Sequence, residues 1–264
     1  MNEVVKRTLS GIVYIILLVG AILYSVETFL LLFAVFFITA VIEFCKLYQI
    51  NKIYGLLLSV AIAVSLFFLN NHPYNSALLC VVPFSIFLMI DLFQNQSKKQ
   101  QPLFKKLIHL IGYVTLPFLI ITQLPYLNGN YSPFLLLSIF IMIWCNDTFA
   151  YICGRLLGKH KLYEKISPKK TIEGFIGGLL FTQLAAFIIY KTSSLQISLI
   201  TWLLIALGIS VLGTVGDLIE SKYKRQAGVK DSGNIMPGHG GILDRFDSIL
   251  FAAPFLFLIY KILI

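Results

Sequence analysis

Acidic side chains are scarce in this chain. Of its 264 residues only 12 are Asp or Glu, and all charged residues together make up 12%, about half the usual share in soluble domains. That excludes a protein which keeps most of its surface in water. Cysteine is sparse as well. Cys45, Cys80, Cys145 and Cys153 form no CxxC pair and sit in or beside apolar runs. A disulfide framework and a Cys-rich zinc site are thereby excluded, and small apolar packing residues remain. There is no tandem repeat and no low-complexity tract. The nearest thing to a linker is the polar, basic stretch QNQSKKQQP at 94 to 102.

What the chain has in quantity is hydrocarbon. Apolar residues make up 58% of it, and 22 are Phe, a composition that belongs in a membrane. Nine apolar runs are long enough to cross about 30 Å of lipid: roughly 9 to 25, 28 to 45, 53 to 69, 75 to 93, 107 to 125, 133 to 152, 174 to 190, 195 to 216 and 243 to 262. The fold class expected is therefore all-α, a polytopic integral membrane protein of about nine transmembrane helices. The first run follows MNEVVKR, which could lead a signal peptide. Tyr24, Ser25 and Val26 make a poor cleavage site, however, and the second run follows at once, so a retained helix is expected.

Lys and Arg set the orientation, because short loops that carry them stay in the cytoplasm. With the N-terminus inside, 19 of the 21 basic residues fall on the inner side, and only Lys191 and Lys261 fall elsewhere. The expectation is a cytoplasmic N-terminus and an outer C-terminus. The net charge of +9 then describes a cytoplasmic face suited to anionic head groups and phosphorylated solutes. Nucleic acid is not expected, since no soluble domain is there to hold it. Residues 1–132 read as plain membrane helices for packing and lipid access. Residues 133–264 carry nearly all the informative polar groups, in two cytoplasmic segments at 153–173 and 217–242.

The first polar segment, NDTFAYICGRLLGKHKLYEKISPKKTIEG, begins inside the sixth run with Asn146 and Asp147. An acid within a span usually faces an interior or a cavity, unless it lies close enough to the surface to reach water by itself. GRLLGKHK does not match GxxxxGK[ST], and its GxxxG spacing equally suits close helix packing. In SPKKTIEG, Pro168 turns Ser167 away from helix, and Thr171 with Glu173 and Gly174 suits the entry to the seventh span. Lys169 and Lys170 then stand at the membrane surface, as phosphate contacts or as ordinary positive-inside residues.

The second segment is SKYKRQAGVKDSGNIMPGHGGILDRFDS, preceded by Asp217 and Glu220. Asp217 and Glu220 are spaced i, i+3 at the end of the eighth span, and Asp244 and Asp247 likewise at the start of the ninth, so each pair can share a helix face. Four carboxylates at one surface repel one another unless cations offset them. Lys222, Lys224, Arg225, Lys230 and Arg245 are interleaved with them, and an oxygen-liganded divalent metal, Mg2+ before others, is the other natural compensator. In PGHGG, Gly240 and Gly241 allow the main chain close to an anion. His239 between the glycines could contact phosphate or donate a proton.

These residues carry a resemblance. Ser221, Lys224 with Arg225, Lys230 with Asp231, His239-Gly240-Gly241 and Asp244-Arg245-x-Asp247 resemble the signature of the phosphatidate cytidylyltransferases, the CDP-diacylglycerol synthases. GDLIES and SPKKTIEG are also similar to family segments, so the likeness covers roughly 144 to 248. It implies that CTP and phosphatidic acid become CDP-diacylglycerol and pyrophosphate at a lipid bilayer, on the cytoplasmic side of the cell membrane, with Mg2+ as cofactor. Asp217, Asp244, Asp247, Lys230 and His239 are the expected catalytic set, with Asp217, Asp244, Asp247 and Glu220 on the metal. Ser221, Lys224, Arg225, Arg245, Gly240, Gly241, Lys169 and Lys170 are expected to bind substrate. A homodimer is compatible with this reading. Other CTP-using lipid enzymes, an archaeol-type cytidylyltransferase or a polyprenol kinase, would show similar polar segments. A CDP-alcohol phosphotransferase would need a DGx2AR pattern that is absent. A transporter would need ionisable groups near mid-bilayer, whereas these acids gather at one surface. A lipid-binding scaffold without catalysis is the third alternative.

Overall fold

Apolar runs in lipid become helices because only a helix satisfies its own backbone polar groups there. The computed structural model describes residues 3–69, 81–94, 101–127, 129–238 and 240–263, and each of the nine runs falls largely on helix where it is described. These helices are α1 (Glu3–Tyr24), α2 (Val26–Tyr48), α3 (Lys52–Leu69), α4 (Val81–Phe93), a composite fifth element, α7 (Pro133–Leu157), α8 (Ile172–Thr192), α9 (Leu199–Gln226) and α10 (Leu243–Leu263). Seven of the elements are long and apolar enough to cross a membrane; α3 and α4 supply shorter apolar helices. The chain is an all-α polytopic membrane protein with one small hairpin. Cys80 lies outside the described residues; Cys45 is buried, and Cys45, Cys145 and Cys153 are all free thiols.

Local signals set the ends of these helices. Ser25 caps α2 by accepting from the Thr28 amide at 3.2 Å, and the Thr28 hydroxyl accepts from the Ser25 amide at 3.2 Å, a reciprocal cap. The fifth element is α5 (Leu103–His109), a π-helical turn (Leu110–Thr115), α6 (Leu116–Gln123) and a 3-10 turn (Leu124–Tyr126). Its irregularity traces to Pro117, which has no N–H and crowds the carbonyl four residues before it. A widened turn relieves that crowding.

The centre of packing is Phe246, fully buried on α10. Its ring meets Phe33 and Phe36 of α2, Phe118 of α6 and Phe140 of α7, with centroids 5.8, 5.4, 5.2 and 6.0 Å away. In lipid such contacts stabilise through packing rather than water exclusion, and aromatic pairs add about 0.5–1.5 kcal/mol each. Phe246 lies between Asp244 and Asp247, so the aromatic core fixes the rotation of the helix turn that carries both acids.

Helix length decides where α9 leaves the membrane. Its 28 residues extend about 42 Å at 1.5 Å per residue, beyond the roughly 30 Å of hydrocarbon. The polar C-terminal turns therefore emerge still helical. This shortens the polar segment expected at 217–242: Asp217 and Glu220 sit on the helix as expected, Ser221, Lys224 and Arg225 ride on α9 as well, and the chain leaves helix only after Gln226, ahead of Gly228, whose φ is +72°. The expected loop at 153–173 shortens in the same way, because α7 continues to Leu157.

Candidate active site

Beyond α7 the chain forms an antiparallel hairpin, β1 (Lys161–Tyr163) with β2 (Ser167–Thr171), in which Lys161 pairs with Thr171 and Tyr163 with Ser167. Glu173 ties the hairpin to α8. Its carboxylate accepts from the Lys159 amide at 3.0 Å and from the His160 amide, and His160 Nδ1 lies 2.6 Å from Oε1. Thr171 caps α8, accepting from the Gly174 amide at 3.1 Å. The segment SPKKTIEG thus enters the helix as the sequence suggests, by way of a strand.

The GxxxG spacing resolves as packing. A side chain built at Gly158 would meet Thr171, one at Gly174 the Ala150 carbonyl, and one at Gly178 the Asn146 carbonyl. α7 and α8 therefore touch almost backbone to backbone, which sets the hairpin directly above the polar groups of α7.

Between hairpin, α7, α8 and α9 lies a cavity of about 570 Å³, within the range of small-ligand sites. Asp147 of α7 and Asp217 of α9 line it together with four cations, Arg155, Lys161, Lys169 and Lys170. Leu162, Phe175 and Ala150 add an apolar wall. Lys170 Nζ is 2.5 Å from Asp217 Oδ2, and Ser221 Oγ donates to Asp217 Oδ1 at 3.1 Å. With cations in excess and an apolar side, the chamber suits a polyanion that has a greasy portion.

The remaining acids of the signature sit behind this wall. Lys224 Nζ lies 2.7 Å from both Glu220 Oε2 and Asp244 Oδ1. The other Asp244 oxygen accepts from the Ser232 amide at 2.8 Å, the Ser232 hydroxyl at 2.7 Å and the Gly241 amide at 2.8 Å. Gly240 adopts φ +85°, and a side chain there would strike Asp244, so the two glycines receive an anion that belongs to the chain itself. Asp247 accepts from the Ser248 amide at 2.6 Å and feels the charges of Asp217, Asp147, Lys224 and Lys170.

The fate of the expected site residues is therefore mixed. Asp217, Lys169 and Lys170 gather at the cavity, and Ser221 stands behind Asp217 through its hydrogen bond. Glu220, Lys224, Asp244, Gly240 and Gly241 form the adjoining network. Arg225, Lys230 and Arg245 are exposed, with Arg225 donating to the Val229 carbonyl at 3.1 Å. His239 lies outside the described residues. Asn146 and Asp147, the polar pair inside the sixth run, line the cavity, and Arg155 and Lys161 join them without having been singled out from sequence.

Among the described residues no three His, Cys, Asp or Glu are already arranged round a common point. The donors nevertheless suit a hard cation, because Glu220 Oε1 is buried without a hydrogen-bond partner and lies within the field of Asp247. Carboxylate oxygen is the ligand that Mg2+ takes.

The first half also reaches the site. Lys222, within the signature, donates to Asp91 of α4, both to the backbone carbonyl and to Oδ2 at 3.1 Å. Asp91 also receives Lys105 at 2.7 Å. Ser10 of α1 donates to the Pro237 carbonyl at 2.9 Å, and Tyr113 to the Gly216 carbonyl at 3.4 Å. Sequence spacing contains no sign of the Lys222–Asp91, Ser10–Pro237 and Tyr113–Gly216 contacts, since each joins residues at least 103 positions apart.

The protein is thus a bundle of membrane helices with a cationic, acid-floored chamber. Residues 5–263 match the cytidylyltransferase family, and the chain belongs to it. It is similar to the phosphatidate cytidylyltransferase of Staphylococcus epidermidis, with 52% identity over 121 residues, 46% of each chain. The protein of that name from Bacillus subtilis is 55% identical over 117 residues, 44% of each chain. The matched stretch spans about half the length of these curated relatives. The family match extends the likeness well beyond the stretch at 144 to 248, into the apolar first half.

Proposed function

We propose that the protein transfers the cytidylyl group of CTP to phosphatidic acid, giving CDP-diacylglycerol and pyrophosphate for phospholipid synthesis. The observation that carries this reading is the chamber where four cations and two carboxylates face an apolar wall. A phosphate oxygen of the lipid attacks the α-phosphorus of CTP. The new bond is O–Pα, the bond broken joins Pα to the bridging oxygen, and pyrophosphate leaves with that electron pair. The attacking oxygen is already anionic, so no activated serine or cysteine is required. The work of the site is to hold two polyanions in line and to meet charge as it develops.

Lys169 and Lys170 take phosphate oxygens from the hairpin side, with Arg155 and Lys161 beside them. Lys230, Arg225 and Arg245 supply the exposed approach, and His239, by its place in the signature sequence, joins them in contacting phosphate. Asp217 keeps Lys170 in place and is itself oriented by Ser221. Asp247 and Glu220 would hold Mg2+, joined by half-exposed Asp217 once Lys170 turns to a phosphate; Asp244 is the least available, since its buried oxygens already take four donors. Bound there, Mg2+ would neutralise phosphate charge and polarise the α-phosphoryl group. The basic segments lie in the cytoplasm, with the N-terminus on that side of the cell membrane and the C-terminus outside, as the distribution of Lys and Arg supports.

The test is a substrate panel. Purified protein with CTP and Mg2+ is offered phosphatidate, an archaeol-type lipid phosphate and a polyprenol. CDP-diacylglycerol with matching pyrophosphate, from phosphatidate alone, supports the proposal. CDP release with a phosphorylated prenol contradicts it.

A further inference from the structure

Glu43 belongs to α2, in the half of the chain where the sequence suggests packing alone. Its side chain is buried, and it is filled with donors from the signature segment. Oε1 accepts from the Ile242 amide at 3.2 Å, and Oε2 accepts from the Leu243 amide at 2.9 Å and from the Ser232 hydroxyl at 3.4 Å. Ile242 and Leu243 stand at the start of α10, where backbone N–H groups lack a partner within the helix. A carboxylate there satisfies these donors and complements the positive end of the helix dipole.

The surrounding chain is shaped to admit this carboxylate. A side chain built at Gly233 would run into Glu43 Oε1, and one at Gly241 would run into both carboxylate oxygens. Two signature glycines are thus explained by a residue of the second helix. Ser232 shares its hydroxyl between Glu43 and Asp244, so the two acids form one network. Asp244 and Asp247 lie one and four residues beyond Leu243, and any fraying of that first turn displaces both.

We infer that Glu43 is a positioning residue for the reaction, seating the first turn of α10 so that Asp244 closes its ion pair with Lys224 and Asp247 stands behind the cavity. The inference rests on the cytidylyltransferase reading above. Charge and reach both matter. Glu43→Gln keeps the volume but replaces one acceptor with an amide N–H that faces other donors. Glu43→Asp keeps the charge and withdraws it by one methylene.

The experiment compares wild type, Glu43→Gln, Glu43→Asp and Glu27→Gln, the last an exposed acid on the same helix. Turnover with CTP and phosphatidate is normalised to folded, monodisperse protein. Glu43→Gln is expected to lower kcat about 10- to 100-fold, the scale of a lost charge-assisted hydrogen bond, with little change in KM for CTP. Glu43→Asp recovers part of that loss, and Glu27→Gln matches wild type. Hydrogen exchange at the Ile242 and Leu243 amides, which needs no turnover, quickens in Glu43→Gln. Wild-type kcat per folded molecule in Glu43→Gln, or unchanged exchange at these amides, overturns the inference. A wild type that forms no CDP-lipid overturns the functional reading instead. Exchange then decides the inference by itself: faster exchange upholds the seating of α10 by Glu43, and unchanged exchange overturns it.

Discussion

Lys170 of the hairpin and Asp217 of α9 meet at 2.5 Å on the wall of the cavity, with 26% and 31% of their side chains still exposed. Two polar segments separated by the whole of α8 are joined by this contact. An ion pair so open contributes only about 0–1 kcal/mol to stability, which leaves both groups available to a ligand. Lys170→Ala is therefore expected to lower kcat/KM about 10- to 100-fold, the scale of one charge-assisted contact, with an almost unchanged melting profile. Lys165→Ala, at the exposed turn of the same hairpin, leaves kcat/KM intact. Equal losses in the two variants would mean that general surface charge, and not this contact, matters.

Asp244 has the opposite character. Its side chain is 6% exposed and faces Lys224, with Ser232 and Gly241 on the second oxygen. Asp244→Asn leaves Lys224 and the donors underpaired, and loss of one partner of a buried pair costs about 3–5 kcal/mol. Denaturant unfolding in detergent should show that loss alongside a fall in activity. A variant as stable as wild type but inactive, with an altered Mg2+ titration, would move Asp244 from the network to the metal.

The near contact of α7 and α8 gives a steric prediction. A β-carbon on Gly178 would lie 2.9 Å from the Asn146 carbonyl oxygen. Gly178→Val should destabilise the protein by about 1–3 kcal/mol, the range for overpacking, and should disturb the cavity through Asn146 and Asp147. Gly20→Val, at a position with nothing within 4 Å, serves as the silent control. Similar stability of the two variants would mean that the helices are further apart.

Membrane sidedness follows from the contact of hairpin and α9, which places residues 165 and 230 on one face. In a cysteine-free background, Lys165→Cys and Lys230→Cys should label only from the cytoplasm, and Ser194→Cys only from outside. Labelling of position 230 from outside would reverse the orientation and remove the access route for CTP.

The apolar runs were legible because each had to satisfy its backbone within the bilayer, and the helices follow them closely. Part of the expected set also comes together in space, since Lys170 and Asp217 meet on the cavity wall and Ser221 bonds Asp217. Two things were not legible. The reach of α9 beyond the membrane was hidden because the polar residues from Ser221 to Gln226 read as loop, although nothing before Gly228 breaks helix. Glu43 and Asp91 were hidden for a different reason: their partners in the signature lie more than 100 residues away, and spacing rules see only neighbours on one element. Two isolated acids inside apolar helices were the available signal, because a buried charge needs a partner.

The central claim is that the cytidylyl group, not the terminal phosphate, moves to the lipid. CTP labelled with 32P separately at the α and γ positions, supplied with phosphatidate and Mg2+, decides it. The account predicts α label in the chloroform-extractable lipid and γ label in pyrophosphate, in equal amounts, with both appearing about 10- to 100-fold more slowly in Lys170→Ala at subsaturating substrate. Label from the γ position in the lipid, with the α label left in CDP, would contradict it.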